Sequence, residues 1–307
     1  MPLDPDAAAT LQAVAAAKTT TLDTLPVETA RAILGAAPPA PGPELHEISD
    51  RTVPGPDGPV PVRIYRPGPE RELPLLVWFH GGGFTLGDLN STDGAARHLA
   101  AEANCVVVSV EYRLAPEHPF PAPLEDAYAA TVWAVENASA IGADPARAAV
   151  GGESSGATLA TAVTLLARER SGPALGGQVL VCPMTGHSPQ SASMRTESTV
   201  MLGPEEIAWF WKNYLGTADP SDPLASPAFT TDLSGLPPAI VVTAEHDALR
   251  DEGRDYAERL RLAGVKVDSL HYPGVFHGFF QLTRALARSR QAMTEVVQAL
   301  RATAFAG

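Results

Sequence analysis

Little in this chain would carry it to nucleic acid or into a membrane. Its 307 residues hold 22 Lys+Arg against 35 Asp+Glu, a net charge of −13, and the basic residues form no block. Nucleic acid, anionic membrane surfaces and polyanionic substrates are therefore disfavoured partners. No apolar run approaches the ~18 residues of a membrane span. The opening stretch MPLDPDAAATLQAV carries acids early and lacks a basic region followed by an apolar one, so no signal peptide is expected and the expected compartment is the cytoplasm. Cysteine is scarce: Cys105 and Cys182 lie far apart, each in or beside an apolar strand-like run, and are expected as buried free thiols. The 8 histidines include no H-E-x-x-H, and no paired-Cys spacing occurs. The nucleotide signatures G-x-x-x-x-G-K-[ST] and G-x-G-x-x-G are missing as well, so neither a metal nor an organic cofactor is expected. There is no internal repeat and no low-complexity tract.

What is present is the composition of a globular protein, 45% apolar and 19% charged, in a chain long enough for a large core. Residues 4–35 read as two short helices, with Asp4-Pro5 and Pro26 as start signals and Leu11, Val14, Leu25, Ile33 and Leu34 as an apolar face. A Pro-rich connector, 35–44, follows. Two strands flank the turn PGPDG at 54–58. Strands and helices then alternate. Strands are expected at 74–79, 105–110, 148–152, 178–182, 239–244 and 266–272, and helices near 92–103, 124–138, 155–169, 251–263 and 282–303. Continuous apolar runs such as LLVWF, CVVVSV and AIVVT are those of parallel strands covered on both faces, which gives an α/β class with a mostly parallel central sheet. Residues 185–236 interrupt the alternation with a helix, PEEIAWFWKNYLG, between Ser/Pro/Thr-rich loops, a candidate lid.

Two glycine-rich stretches carry chemistry. Gly152-Glu153-Ser154-Ser155-Gly156 has the G-x-S-x-G pattern between an apolar strand and an apolar-faced helix, the context of an elbow that presents a strained serine above a sheet. The bland alternative is an ordinary βα turn. A serine nucleophile needs a base, and the base needs an orienting carboxylate. Asp247 just past strand 239–244 and His277 just past strand 266–272 supply both, at carboxyl ends of strands. Glu245, Asp251 and Glu252 compete for the acid, and His246 and His271 for the base. An oxyanion needs N–H donors. One is the amide of Ser155; the others must come from a loop after an earlier strand, where HGGG stands at 80–83. Bare glycines let the main chain approach a negative oxygen closely. His80 is read as a loop organiser. Phe84, Trp209, Phe210 and Phe276 are candidate pocket-lining residues, with core packing as the alternative for each.

HGGGF, EYRLAPEHPFPAPLEDAYAA, the serine elbow, DALRDEG and HGF, in that order, resemble the hormone-sensitive lipase family of α/β-hydrolases, whose bacterial members are carboxylesterases. The resemblance covers nearly the whole chain. It implies an α/β-hydrolase fold with a helical cap built from residues 1–45 and 185–222 over a core of 46–184 and 223–307. It also implies Gly82 and Gly83 as oxyanion donors beside Ser155, a small-molecule ester substrate, and compatibility with a homodimer. Departures are Glu153 and Ser155, where Gly-Asp-Ser-Ala-Gly is common, and Ala248 after Asp247, where proline is common. A ligand receptor of the same fold, and an amidase or transacylase using the same residues, are the rival functions.

Overall fold

The computed structural model describes residues 2–17, 20–36, 40–186, 191–199 and 201–306. Parts of the Pro-rich connector (37–39) and of the expected lid (187–190 and 200) lie outside the described residues.

The N-terminal arm contains α1 (Pro5–Ala17) and α2 (Val27–Gly35). The hairpin β1 (Glu47–Gly55) and β2 (Gly58–Arg66) closes through Pro56-Asp57, with Gly55 opposite Gly58. Then come β3 (Leu73–Phe79), α3 (Asp93–Ala103), β4 (Val106–Val110), α4 (Ala122–Glu136), β5 (Ala143–Glu153), α5 (Ser155–Glu169) and β6 (Gly177–Val181). The interruption holds α6 (Ala192–Thr196) and α7 (Pro204–Leu215); β7 (Ala239–His246), α8 (Arg250–Leu262), β8 (Val267–Phe276) and α9 (Ala287–Ala302) complete the chain.

All eight strands join one sheet in the order β1-β2-β4-β3-β5-β6-β7-β8. β1 and β2 run antiparallel to their neighbours, and β4 through β8 are parallel. Alternate residues of each strand feed opposite faces. Leu75, Val77 and Phe79 join one core with α4, α5 and α8, whereas Leu76 and Trp78 join the other with α3 and α9. Both faces are covered, which is why β3 and β4 are apolar at nearly every position.

Register places the site. Phe79 pairs with Gly152, so the loop after β3 emerges beside the turn after β5, where the winding of the sheet reverses direction. On the far side His246 pairs with Phe276, which sets Asp247 next to His277.

The arm and the interruption meet. Leu22 N–H donates to Glu206 Oε1 of α7 at 3.2 Å. Arg31 of α2 donates to the carbonyls of Thr85 and Ala115 at 2.8 and 2.9 Å and pairs with Glu117 at 2.8 Å. The expected apolar face of the arm is only partly used: Leu25 packs inward, but Ile33 and Leu34 are about half exposed. Both cysteines are free and buried. Among the described residues no helix is long and apolar enough to cross a membrane.

Candidate active site

Ser154 adopts φ 56° and ψ −120°, a conformation that L-residues rarely occupy. Such strain costs of order 1–3 kcal/mol and persists because the surroundings leave no alternative. A Cβ on Gly156 would lie 2.1 Å from the Phe79 carbonyl oxygen, and one on Gly152 would lie 2.4 Å from the Gly156 backbone. The two glycines of G-x-S-x-G are thus where helix α5 packs on the ends of β3 and β5. The Ser154 N–H donates to Val181 O at 2.8 Å, tying the turn to β6.

Three side chains from separate loops form one hydrogen-bonded series. His277 Nδ1 lies 2.9 Å from Asp247 Oδ2, and His277 Nε2 lies 3.1 Å from Ser154 Oγ. A carboxylate only accepts, so Nδ1 carries the proton and Nε2 is free to accept from the serine hydroxyl. Asp247 is held in turn: its Oδ1 accepts from Leu249 N–H at 2.8 Å at the start of α8. The competing groups are engaged elsewhere. Glu245 accepts from Gly274 N–H, Asp251 from Ser193 N–H and Glu252 from Thr185 N–H. His246 faces Glu197 and His271 faces Thr243.

Burial disfavours the imidazolium form of His277. The Asp247 charge and its hydrogen bond, with the Glu153 charge, outweigh burial and raise the His277 pKa above its ordinary value of 6.5. His80 behaves oppositely. Enclosure lowers it to about 4, so it is a neutral ring. Its Nδ1 contacts Gly81 O at 2.7 Å and its ring stacks on Tyr112 at 4.3 Å. Tyr112 in turn donates to the His80 carbonyl at 2.7 Å, locking the start of the glycine loop.

The loop turns sharply after His80. Gly82 O accepts from both Thr85 and Leu86 N–H. Among the described residues the N–H groups of Gly82, Gly83 and Ser155 donate to nothing, and Ser155 is the first residue of α5, where helix amides are unpaired and the dipole favours negative charge. A serine, a base and free amides at one rim are able to attack a carbonyl and hold the resulting oxyanion.

The four aromatic candidates divide. Phe210 lies against the loop: a Cβ on Gly83 would meet its ring at 2.0 Å. Trp209 is half-buried beside it, with ring centroids 5.1 Å apart. Phe84 and Phe276, by contrast, are fully enclosed, so the core alternative holds for both. Phe84 stacks on Tyr214 of α7 at 3.6 Å, and Phe276 joins the core on the opposite face of the sheet. The backbone of Phe84, at φ 60°, turns the ring inward.

Sequence reasoning missed four contributors. Arg31 reaches the glycine loop from the N-terminal arm, Tyr112 braces His80, Gln281 contacts Glu153, and Cys182 lies against the Asp–His pair. Only Tyr112 lay within a motif already singled out, EYRLAP. Cys182, Asp247 and His277 bring potential metal-ligand atoms within 4.8 Å of one another. The histidine and aspartate atoms already serve each other, and burial pushes the Cys182 thiol well up, holding it protonated.

A family model described as alpha/beta hydrolase fold matches residues 76–281. The carboxylic ester hydrolase LipN of Mycobacterium tuberculosis is 45% identical over 271 residues, 85% of this chain and 72% of that protein. The carboxylesterase NlhH of the same species is 41% identical over 298 residues, 91% of this chain and 93% of that one. An ester-hydrolase from the metagenome of Lake Arreo, solved with a bipyridine phosphonate derivative, superposes with a TM-score of 0.92 at 40% identity over 98% of both chains. By its fold, by the family match and by its identity to these relatives, the chain belongs to the hormone-sensitive lipase family of the α/β-hydrolases, of bacterial carboxylesterase type.

Proposed function

We propose that this protein is a serine carboxylesterase that hydrolyses short- to medium-chain carboxylic esters through an acyl-enzyme. The observation that carries the reading is the series Asp247–His277–Ser154, which ends in a strained serine beside unpaired amides. Relatives named for ester hydrolysis support it.

In this reading Ser154 Oγ attacks the ester carbonyl as His277 Nε2 takes its proton. Asp247 holds the imidazole tautomer and stabilises the imidazolium. The amides of Gly82, Gly83 and Ser155 receive the oxyanion, each worth roughly 3–4 kcal/mol in the transition state. Collapse expels the alcohol, which takes the proton from Nε2. Water then attacks the acyl-enzyme with the same nitrogen as base, and the carboxylic acid leaves. The steps need no metal or organic cofactor. Residues 1–45 and 185–222 act together as the cap, and Phe210 and Trp209 bound the space a small ester enters.

The test is direct. Purified protein is expected to turn over p-nitrophenyl butyrate, and an alkyl fluorophosphonate is expected to add one adduct per chain, on the peptide carrying Ser154. Neither turnover nor adduct would leave the ligand-receptor reading in its place.

A pH dependence follows from the base. Activity needs neutral His277, so kcat/KM is lost as pH falls through its pKa in the free enzyme. Because that pKa is raised, the acid limb is expected above pH 6.5. An initial-rate profile of kcat/KM with a limb below that value contradicts the electrostatic account.

A further inference from the structure

Glu153 fills the position just before the nucleophile; its charge helps raise the His277 pKa, but it neither gives nor takes the proton in the relay. Its side chain is buried, yet Oε1 has no hydrogen-bond partner among the described residues. Glu153 Oε2 accepts from the Nε2–H of Gln281. Gln281 ends the one-turn 3-10 helix Phe279–Gln281, four residues after His277 in the chain. The hydrogen bond therefore runs alongside the Ser154–His277 contact, joining the same two segments: the elbow after β5 and the turn after β8. The other anchors of that turn face away from the elbow. Phe279 and Phe280 are buried in the core that contains α9, and the Phe280 carbonyl accepts from Ser289 Oγ of α9 at 2.7 Å.

We propose that Glu153 and Gln281 form a clasp that sets the register of the His277-bearing turn against the serine elbow, both acting as positioning residues. The inference rests on the esterase reading above. A buried carboxyl with one unpaired oxygen is a poor contribution to stability, whereas a fixed distance between nucleophile and base matters greatly to rate. A displacement of about 1 Å is enough to lower a rate by about 10²-fold. Glutamate is matched to the task, because aspartate would fall short by one carbon–carbon bond, about 1.5 Å. Burial, with the Asp247 charge, raises the Glu153 pKa, and the Gln281 donor and His277 offset this only in part.

The experiment compares Gln281→Leu, Gln281→Glu and the swap Glu153→Gln/Gln281→Glu, with kcat, KM and melting temperature measured for each. Leucine removes the donor, and glutamate sets two carboxyls face to face. Both are expected to lower kcat about 10- to 100-fold with KM within about twofold. The swap restores one donor facing one carboxyl and is expected to recover kcat to within about threefold of wild type. A residue that only fills space gives no such recovery. Wild-type kcat in both single variants overturns the clasp, as does a swap that melts like wild type and stays as slow as Gln281→Glu. Should the swap fail to fold, Gln281→Leu decides alone, its kcat read beside its melting temperature so that a lost fold is told apart from a lost position. If Ser154→Ala keeps its activity the esterase reading falls, whereas unaltered Gln281 variants remove the clasp only.

Discussion

Ser154→Ala is expected to lower kcat for p-nitrophenyl butyrate by roughly a million-fold, with the fold left intact. The size follows from how the three side chains work as one unit: in a serine hydrolase of the same chemistry, loss of the nucleophile alone is worth about 2 × 10⁶ in kcat. What remains is the rate supplied by binding and the amide cradle, about 10³–10⁴ over water. The fold is expected to tolerate the change because the elbow is held by backbone. Ser154 N–H still reaches Val181 O, Gly152 and Gly156 still seat α5 on β3, and alanine at φ 56° is no more strained than serine. A melting temperature within about 2 °C of wild type, read alongside the lost turnover, separates chemistry from stability. Residual kcat within 100-fold of wild type, in protein shown by mass to carry alanine, would mean that another group does the attacking.

The residues of that series were legible because each carries a local signal. Ser154 is bracketed by glycines, Asp247 closely follows the apolar run AIVVT, and His277 stands in a Gly/Pro loop before the last helix. A wound parallel sheet collects the carboxyl ends of its strands at one rim, so order along the chain stood in for distance. Where local signal was weak, boundaries moved. The last strand was expected to stop at residue 272 but continues through Pro273 and Gly274 to Phe276. β8 is an edge strand, where the missing proline N–H breaks no ladder bond. The last helix was expected from 282 but starts at Ala287, because the one-turn helix Phe279–Gln281 intervenes. The aromatics show a deeper limit. Phe84 and Phe276 adjoin catalytic loops in sequence, yet a positive φ turns one inward and the strand pleat turns the other. Arg31 and Gln281 could not be found at all. Each acts on a segment 54 or 128 residues away, through a single side chain with no surrounding pattern.

Gly82→Ala is expected to lower kcat by about 10²–10³, the loss of one oxyanion donor, with a much smaller change in KM. Gly82 sits at φ 112°, and an added Cβ would lie 2.3 Å from the Leu86 carbonyl oxygen. That oxygen belongs to the turn itself, so the loop must distort and the Gly82 amide must swing away from the oxyanion. Gly83→Ala differs in kind. Its φ of 60° lies in the left-handed region, which alanine enters for roughly 1–2 kcal/mol. Its obstacle is a side chain, the Phe210 ring at 2.0 Å. The two glycines are therefore expected to respond differently to Phe210→Ala. In Gly83→Ala/Phe210→Ala the ring is gone, and most of the lost kcat should return. In Gly82→Ala/Phe210→Ala the loss should persist, since backbone cannot be cut away. Measured as a double-mutant cycle, coupling is expected for Phe210 with Gly83 and not with Gly82. Wild-type kcat in Gly82→Ala would show that the loop after β3 does not hold the oxyanion. Equal coupling of Phe210 to both glycines would show that Phe210 governs the loop as a whole and not the space above Gly83.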